Sequence, residues 1–190
     1  MKKSFLIILL ILTSCSILQK GYTDHNGQYV PKNPNFKFKV KKSCVFPKNL
    51  DTTNIYKLTK SFEFGKQVYP SSDPSNIMSN SIYFFKFYKN GRCLGFSITK
   101  KDDTGKVNQL KESDLNPNNQ YYSKSYYCSE KGEGIKIETF VYGQGFGRYV
   151  ILDYHLSENG KKLIYQDEHT MEIYQKMKIP SDWKNYSVDW

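Results

Sequence analysis

No alanine occurs anywhere in the 190 residues. Alanine is the strongest helix former, so its absence removes the commonest material for helices. Long apolar runs are missing too. The longest, Phe5 to Leu12, falls far short of the roughly 20 residues a membrane-spanning helix needs. Histidine is confined to His25, His155 and His169, and cysteine to Cys15, Cys44, Cys93 and Cys128. No Cys-x-x-Cys is present, which removes the usual thiol-redox and zinc-ribbon motifs. Gly143-Gln144-Gly145-Phe146-Gly147 has no serine and opens no helix. It is therefore neither a nucleophile elbow nor a phosphate loop, and reads as a glycine-relieved bend between strands.

Tyrosine and phenylalanine, in contrast, are abundant, at 16 and 12 residues. Aromatic residues suit pleated, half-buried surfaces. With alanine absent, they point to an all-β fold.

The N-terminus has its own pattern. Lys2 and Lys3 precede the apolar run, which ends at Leu12-Thr13-Ser14-Cys15. A positive segment, a short apolar segment and small residues form a secretory signal. The last four residues resemble the lipobox of bacterial lipoproteins. That resemblance implies cleavage between Ser14 and Cys15, with acyl chains on the sulfur and new amine of Cys15. Two or more chains hold a protein stably on a membrane. Ser16 replaces the Asp that retains such proteins at an inner membrane, so the resemblance implies an outer-membrane location.

The expected organisation is a signal peptide over 1–14, a lipidated cysteine and flexible tether over 15–35, a β domain over 36–178 and a tail over 179–190. The tether reading rests on polar residues with Gly21, Gly27, Pro31 and Pro34. Removing Lys2 and Lys3 from the formal charge of +10 leaves about +8 for the mature chain. Its lysines are scattered, the densest runs being Lys37, Lys39, Lys41, Lys42 and Lys100, Lys101. No nucleic-acid motif accompanies them, so they read as a solvated face and nucleic acid is not an expected partner. Export would place Cys44, Cys93 and Cys128 in an oxidising compartment. Any one pair, or none, is compatible with the sequence.

From Phe36 the chain turns to period two, with Phe36, Phe38 and Val40 alternating with lysines and Cys44 and Phe46 continuing the face. Asn54 to Phe64 reads as a second strand and residues 66–80 as a loop. Asn90-Gly91 lies between two aromatic runs, a strong hairpin signal. A two-residue turn there pairs Phe87 with Leu94, Phe85 with Phe96 and Tyr83 with Ile98, all on one face. A polar stretch with a short helical turn near Asn108 to Ser113 follows. Tyr121 to Ser129 and Gly134 to Tyr142 read as a hairpin. Another turns at Asn159-Gly160, pairing Leu156 with Leu163 and Tyr154 with Tyr165. A last strand covers Met171 to Lys176. The sum is an antiparallel meander of about eight or nine strands, closing into a barrel or half-barrel to remove its edges.

Tyr83-Phe84-Phe85-Lys86-Phe87-Tyr88-Lys89-Asn90-Gly91-Arg92 resembles the hairpin of small lipocalin-like lipoproteins, common in Bacteroidota, in which an aromatic strand is followed by Asn/Asp-Gly and a basic residue. Leu115-Asn116-Pro117 through Tyr121-Tyr122, then Ile135-Lys136-Ile137-Glu138, resembles their downstream half. The resemblance spans most of residues 36–178. It implies a lipocalin-like barrel in the cell envelope and carries over no catalytic residue.

Asp153, His155, Asp167 and His169 fall in one hairpin, but its pairing sends the first two to one face and the last two to the other. No metal site, cofactor or catalytic residue is expected. Glu138, Glu158 and Glu168 have no pairing at glycosidase distance. The expected function is a non-enzymatic binding module anchored to the membrane by lipid at Cys15. Its small apolar or amphiphilic ligand would be lined by Tyr83, Phe85, Phe87, Phe96 and Tyr154. The alternative is an envelope protein-interaction, assembly or immunity/inhibitor lipoprotein. It would present Phe84, Tyr88, Tyr126 and Tyr127 outward, tyrosine being common in interface hot spots.

Overall fold

The structure, a computed structural model, describes residues 21–23, 29–31, 35–39, 44–63, 66–69, 81–101, 104–117, 123–129, 134–143 and 146–188. Cys15 and the rest of the expected lipobox lie outside them. Among the described residues no helix is long and apolar enough to cross a membrane. Among the described residues the helical element is a 3-10 turn, Glu112–Leu115.

The architecture is the expected all-β barrel. Two short strands, β1 (Gly21–Thr23) and β2 (Tyr29–Pro31), pair as a hairpin within the stretch expected to be tether. The main sheet holds β3 (Ile55–Glu63), β4 (Lys66–Tyr69), β5 (Ser81–Phe87), β6 (Arg92–Thr99), β7 (Ser123–Cys128), β8 (Gly134–Gly143), β9 (Phe146–Ser157), β10 (Lys162–Gln166) and β11 (Thr170–Met177). Each strand from β5 to β11 pairs antiparallel with its chain neighbour, and β11 pairs with β3. That closes eight strands and leaves β4 as an extra strand on β3. An eight-stranded barrel is just wide enough for side chains to fill it or for one small ligand.

The end carrying the β5–β6 and β9–β10 turns is called lower here, and the end carrying the β10–β11 turn upper. The lower end is closed by the chain ahead of β3. Leu50 enters the barrel core, and the Tyr56 hydroxyl donates to the Gly160 carbonyl at 3.0 Å. Gly160 is needed there twice over. Its φ is +80°, and a Cβ would stand 1.9 Å from the Asn49 carbonyl oxygen. A Cys44–Cys128 disulfide and a Val45 N–H donating to the Ser129 carbonyl at 2.8 Å fasten this plug to the wall. Cys93 is a free thiol, fully buried in the interior.

Three corrections to the sequence reading follow from backbone hydrogen bonding. Residues 35–39 form a bend and turn, not a strand. Phe36 packs outside the barrel between Tyr126 and Tyr149, at centroid distances of 4.9 and 4.8 Å. The Phe38 N–H donates to the buried Glu138 carboxylate at 2.8 Å, so a side chain takes the place of a ladder partner. Lys66–Tyr69, expected within a loop, forms β4. The third correction is register. Phe87 pairs with Cys93, Phe85 with Gly95 and Phe84 with Phe96, one residue away from the expected pairing. Only Gly91 of the turn has positive φ, and the Gly91 N–H donates to the Tyr88 carbonyl. The loop is therefore a three-residue turn with a glycine bulge, not a two-residue turn. One residue of slip turns every side chain of one strand to the other face.

That slip creates a second core. Phe84, Leu94 and Phe96 point outward with Ile55, Tyr88, Leu115 and Val188. Residues 110–117 and the chain after β11 cover them, so residues 179–188 are packed structure. Asn90 Nδ2 and the Arg92 guanidinium both donate to the Val188 carbonyl.

Candidate functional site: the tyrosine-lined mouth

The barrel interior holds a connected run of aromatic rings. Tyr127 meets Phe87 at 5.3 Å, Phe87 meets Phe85 at 6.0 Å, Phe85 meets Tyr154 at 5.6 Å, and Tyr154 meets Tyr165 at 5.3 Å. Such pairs add about 0.5–1.5 kcal/mol each beyond the area they bury. Tyr174 lies 5.0 Å from Phe85 and 6.3 Å from Tyr154. Exposure changes along this run. Phe87, Cys93 and Leu163 at the lower end are 0% exposed. Tyr83, Phe85 and Tyr165 at the upper end are only partly buried. Val141 shares the alternation of Ile135 and Ile137 on β8 and is 39% exposed near the upper end.

Strand pairing explains this upper opening. β3 pairs with β5 only over Ile55 to Lys57, opposite Lys86 to Phe84. Over Ser61 to Glu63 it takes β4 as its neighbour instead, with a register shift between Ser61 and Phe62. Among the described residues, Ser81 to Tyr83 therefore have a ladder partner only on the β6 side. Tyr83 stands beside that seam.

Of the sequence-derived ligand residues, Tyr83, Phe85, Phe87 and Tyr154 are brought together inside the barrel. Phe96 is not. It stacks on Phe84 at 5.1 Å outside the wall. Phe87 belongs to the sealed lower interior, which leaves Tyr83 and Phe85 at the mouth, with Tyr154 buried beneath them against Phe85. The residues expected on an outward interaction face are covered as well. Phe84 and Tyr88 lie in the outer core, Tyr126 lies under Phe36, and Tyr127 points into the barrel with its hydroxyl on the Tyr88 carbonyl at 2.6 Å.

Sequence reasoning missed Tyr165, Tyr174 and Glu172 as mouth residues. Glu172 pairs with Tyr165 and shares the inner face of β11 with Tyr174. Its Oε2 accepts the Tyr174 hydroxyl at 2.8 Å. Burial holds the Glu172 carboxyl above its ordinary pKa. Burial first, then the Glu172 charge, raises the Tyr154 and Tyr174 hydroxyls. Tyr165 donates to Asp167 Oδ2 at 2.6 Å, which with burial pushes it up to about 12. The available signal was the alternation Glu172, Tyr174, Lys176. It was masked because Met171, Ile173 and Met177 give the opposite face the more apolar character.

Elsewhere the ionisable side chains have structural roles. Asp167 Oδ1 accepts the His169 and Thr170 N–H groups and forms the β10–β11 turn. Asp153 and His155 are exposed on β9, and no group of three metal-ligating side chains occurs among the described residues. Glu158 pairs with Lys162. Lys86 is 3% exposed and donates to the Thr52 carbonyl at 2.8 Å, holding the plug from outside. A cleft of about 560 Å³ lies at the lower end, between the plug and Lys89 and Lys176. Its acid, Asp51, is occupied by Thr53, Asn54 and Lys176. It is far from the tyrosine mouth, and its polar groups already serve the plug.

Comparison of the chain with protein-family models, curated proteins and solved structures finds no match. The functional reading therefore stands on the residues of the barrel itself.

Proposed function

We propose that this chain is a bacterial envelope lipoprotein, held on a membrane by acyl chains at Cys15. Its barrel acts without catalysis, as a binding module for a small apolar or amphiphilic ligand taken in at the upper mouth. The observation that carries the reading is the gradient of exposure along one aromatic interior. Phe87 is sealed, whereas Tyr83, Phe85 and Tyr165 remain partly open. Ligand sites are mostly apolar with a few placed polar groups, and the tyrosine hydroxyls supply such groups. The lipobox resemblance supports the anchor, because acyl chains give membrane affinity without a spanning helix.

Native mass spectrometry of protein released from its own envelope tests this reading. The expected spectrum shows a small molecule retained on the wild-type chain and reduced in Tyr83→Leu. Bare protein in every preparation would overturn it.

A further inference from the structure

The mouth contains one group that a purely apolar ligand does not need. Glu172 is partly buried, and its carboxylate accepts a hydrogen bond from the Tyr174 hydroxyl. Among the described residues, no lysine, arginine or histidine lies within ion-pairing distance of it. The charge that bears on it is Asp167, of its own sign. Removing a carboxylate from water without a counter-charge is costly. Tyr165 stands across the β10–β11 ladder from Glu172, Tyr174 donates to it, and the Tyr154 ring lies 5.3 Å from that of Tyr165 and 6.3 Å from that of Tyr174, with Tyr83 packed on the same core. The Tyr174 hydroxyl stabilises the carboxylate by one hydrogen bond, and ring faces, themselves negative, supply no counter-charge. Aromatic rings gathered about a carboxylate suit a weakly hydrated organic cation.

We propose that the mouth selects ligands bearing a substituted ammonium group, with Glu172 as counter-ion and Tyr83, Tyr154, Tyr165 and Tyr174 as walls. This rests on the reading of the mouth as a ligand site. A neutral head leaves the carboxylate unpaired, and a strongly hydrated metal ion gains little from the rings.

The test is calorimetric titration of the full lipidated chain in nanodiscs made from lipids without choline headgroups. Choline is compared with its neutral carbon isostere, 3,3-dimethylbutanol, and a long-chain alkyltrimethylammonium with the alcohol of equal length. Each cation is expected to bind at least about tenfold tighter than its neutral partner. Preference in the short pair assigns a free small cation, and preference in the long pair alone assigns an amphiphile headgroup. Glu172→Gln should abolish the preference. Tyr83→Phe should keep it and Tyr83→Leu should weaken it, which carries the test if the Glu172 variant does not fold. Equal binding of cation and isostere overturns the ammonium preference while leaving an apolar module in place. No binding by any of the four compounds overturns both.

Discussion

Breaking the Cys44–Cys128 crosslink should cost this barrel a large share of its stability. The two residues are 84 apart in sequence. A loop of that length loses about 15 cal/mol/K of unfolded-chain entropy on closure, or about 4.5 kcal/mol at 25 °C. Whole domains are stable by only about 5–15 kcal/mol. The bond also fixes the plug, because Val45 next to it is bridged to Ser129. The perturbation is Cys44→Ser with Cys128→Ser, leaving Cys93 untouched. Equilibrium urea unfolding of both proteins is the assay. With a slope of about 2 kcal/mol/M, the midpoint should fall by about 2 M. Thiol titration of the unfolded, unreduced wild type should find one reactive group, Cys93. The folded protein should show none, since burial pushes that thiol up and shields it. Three thiols in the unfolded protein would show that the crosslink is absent, and coincident urea curves that it does not stabilise the fold.

Other expectations follow from the same contacts. Burial lowers Lys86 from its ordinary 10.5 to about 8. Its folded pKa is depressed, so its contribution to stability is present above the unfolded pKa and is lost as pH falls towards 8. Between pH 8 and 10.5 wild type should gain on the order of 3 kcal/mol relative to Lys86→Met, and parallel pH profiles of the two would contradict this. Gly160→Ala should cost about 1–2 kcal/mol for its left-handed backbone alone, and more for the overlap with Asn49. Thermal unfolding measures the loss, and an unchanged midpoint would show that the plug does not sit on the turn. Cys15→Ala should move the protein from the membrane to the soluble envelope fraction, and continued membrane retention would remove the proposed anchor.

Legibility in the sequence followed the contrast between strand faces. In β9, Leu152, Tyr154 and Leu156 alternate with Asp153 and His155, so only one register buries the apolar set. Leu156–Leu163 and Tyr154–Tyr165 pair as the sequence implies. In β5 and β6 both faces are apolar, because one lines the barrel and the other lies under the C-terminal segment. Alternation there does not identify the inner face, and a turn one residue longer decided it. Phe36 to Lys39 misled for the opposite reason. Its strand-like alternation serves a bend docked on Tyr126 and Tyr149. Tyr83, Phe85 and Tyr154 were legible as interior aromatics. Glu172 was not, because a carboxylate facing inward breaks the rule by which inner faces are recognised.

The central claim is that ligand enters among the upper tyrosines. Tyrosine-selective isotope labelling and NMR titration with an alkyltrimethylammonium amphiphile test it most directly. The ring signals of Tyr83, Tyr165 and Tyr174 should shift in step, while those of Tyr88 and Tyr126 stay fixed. Shifts confined to Tyr88 and Tyr126, or no saturable shift in any tyrosine, would contradict it.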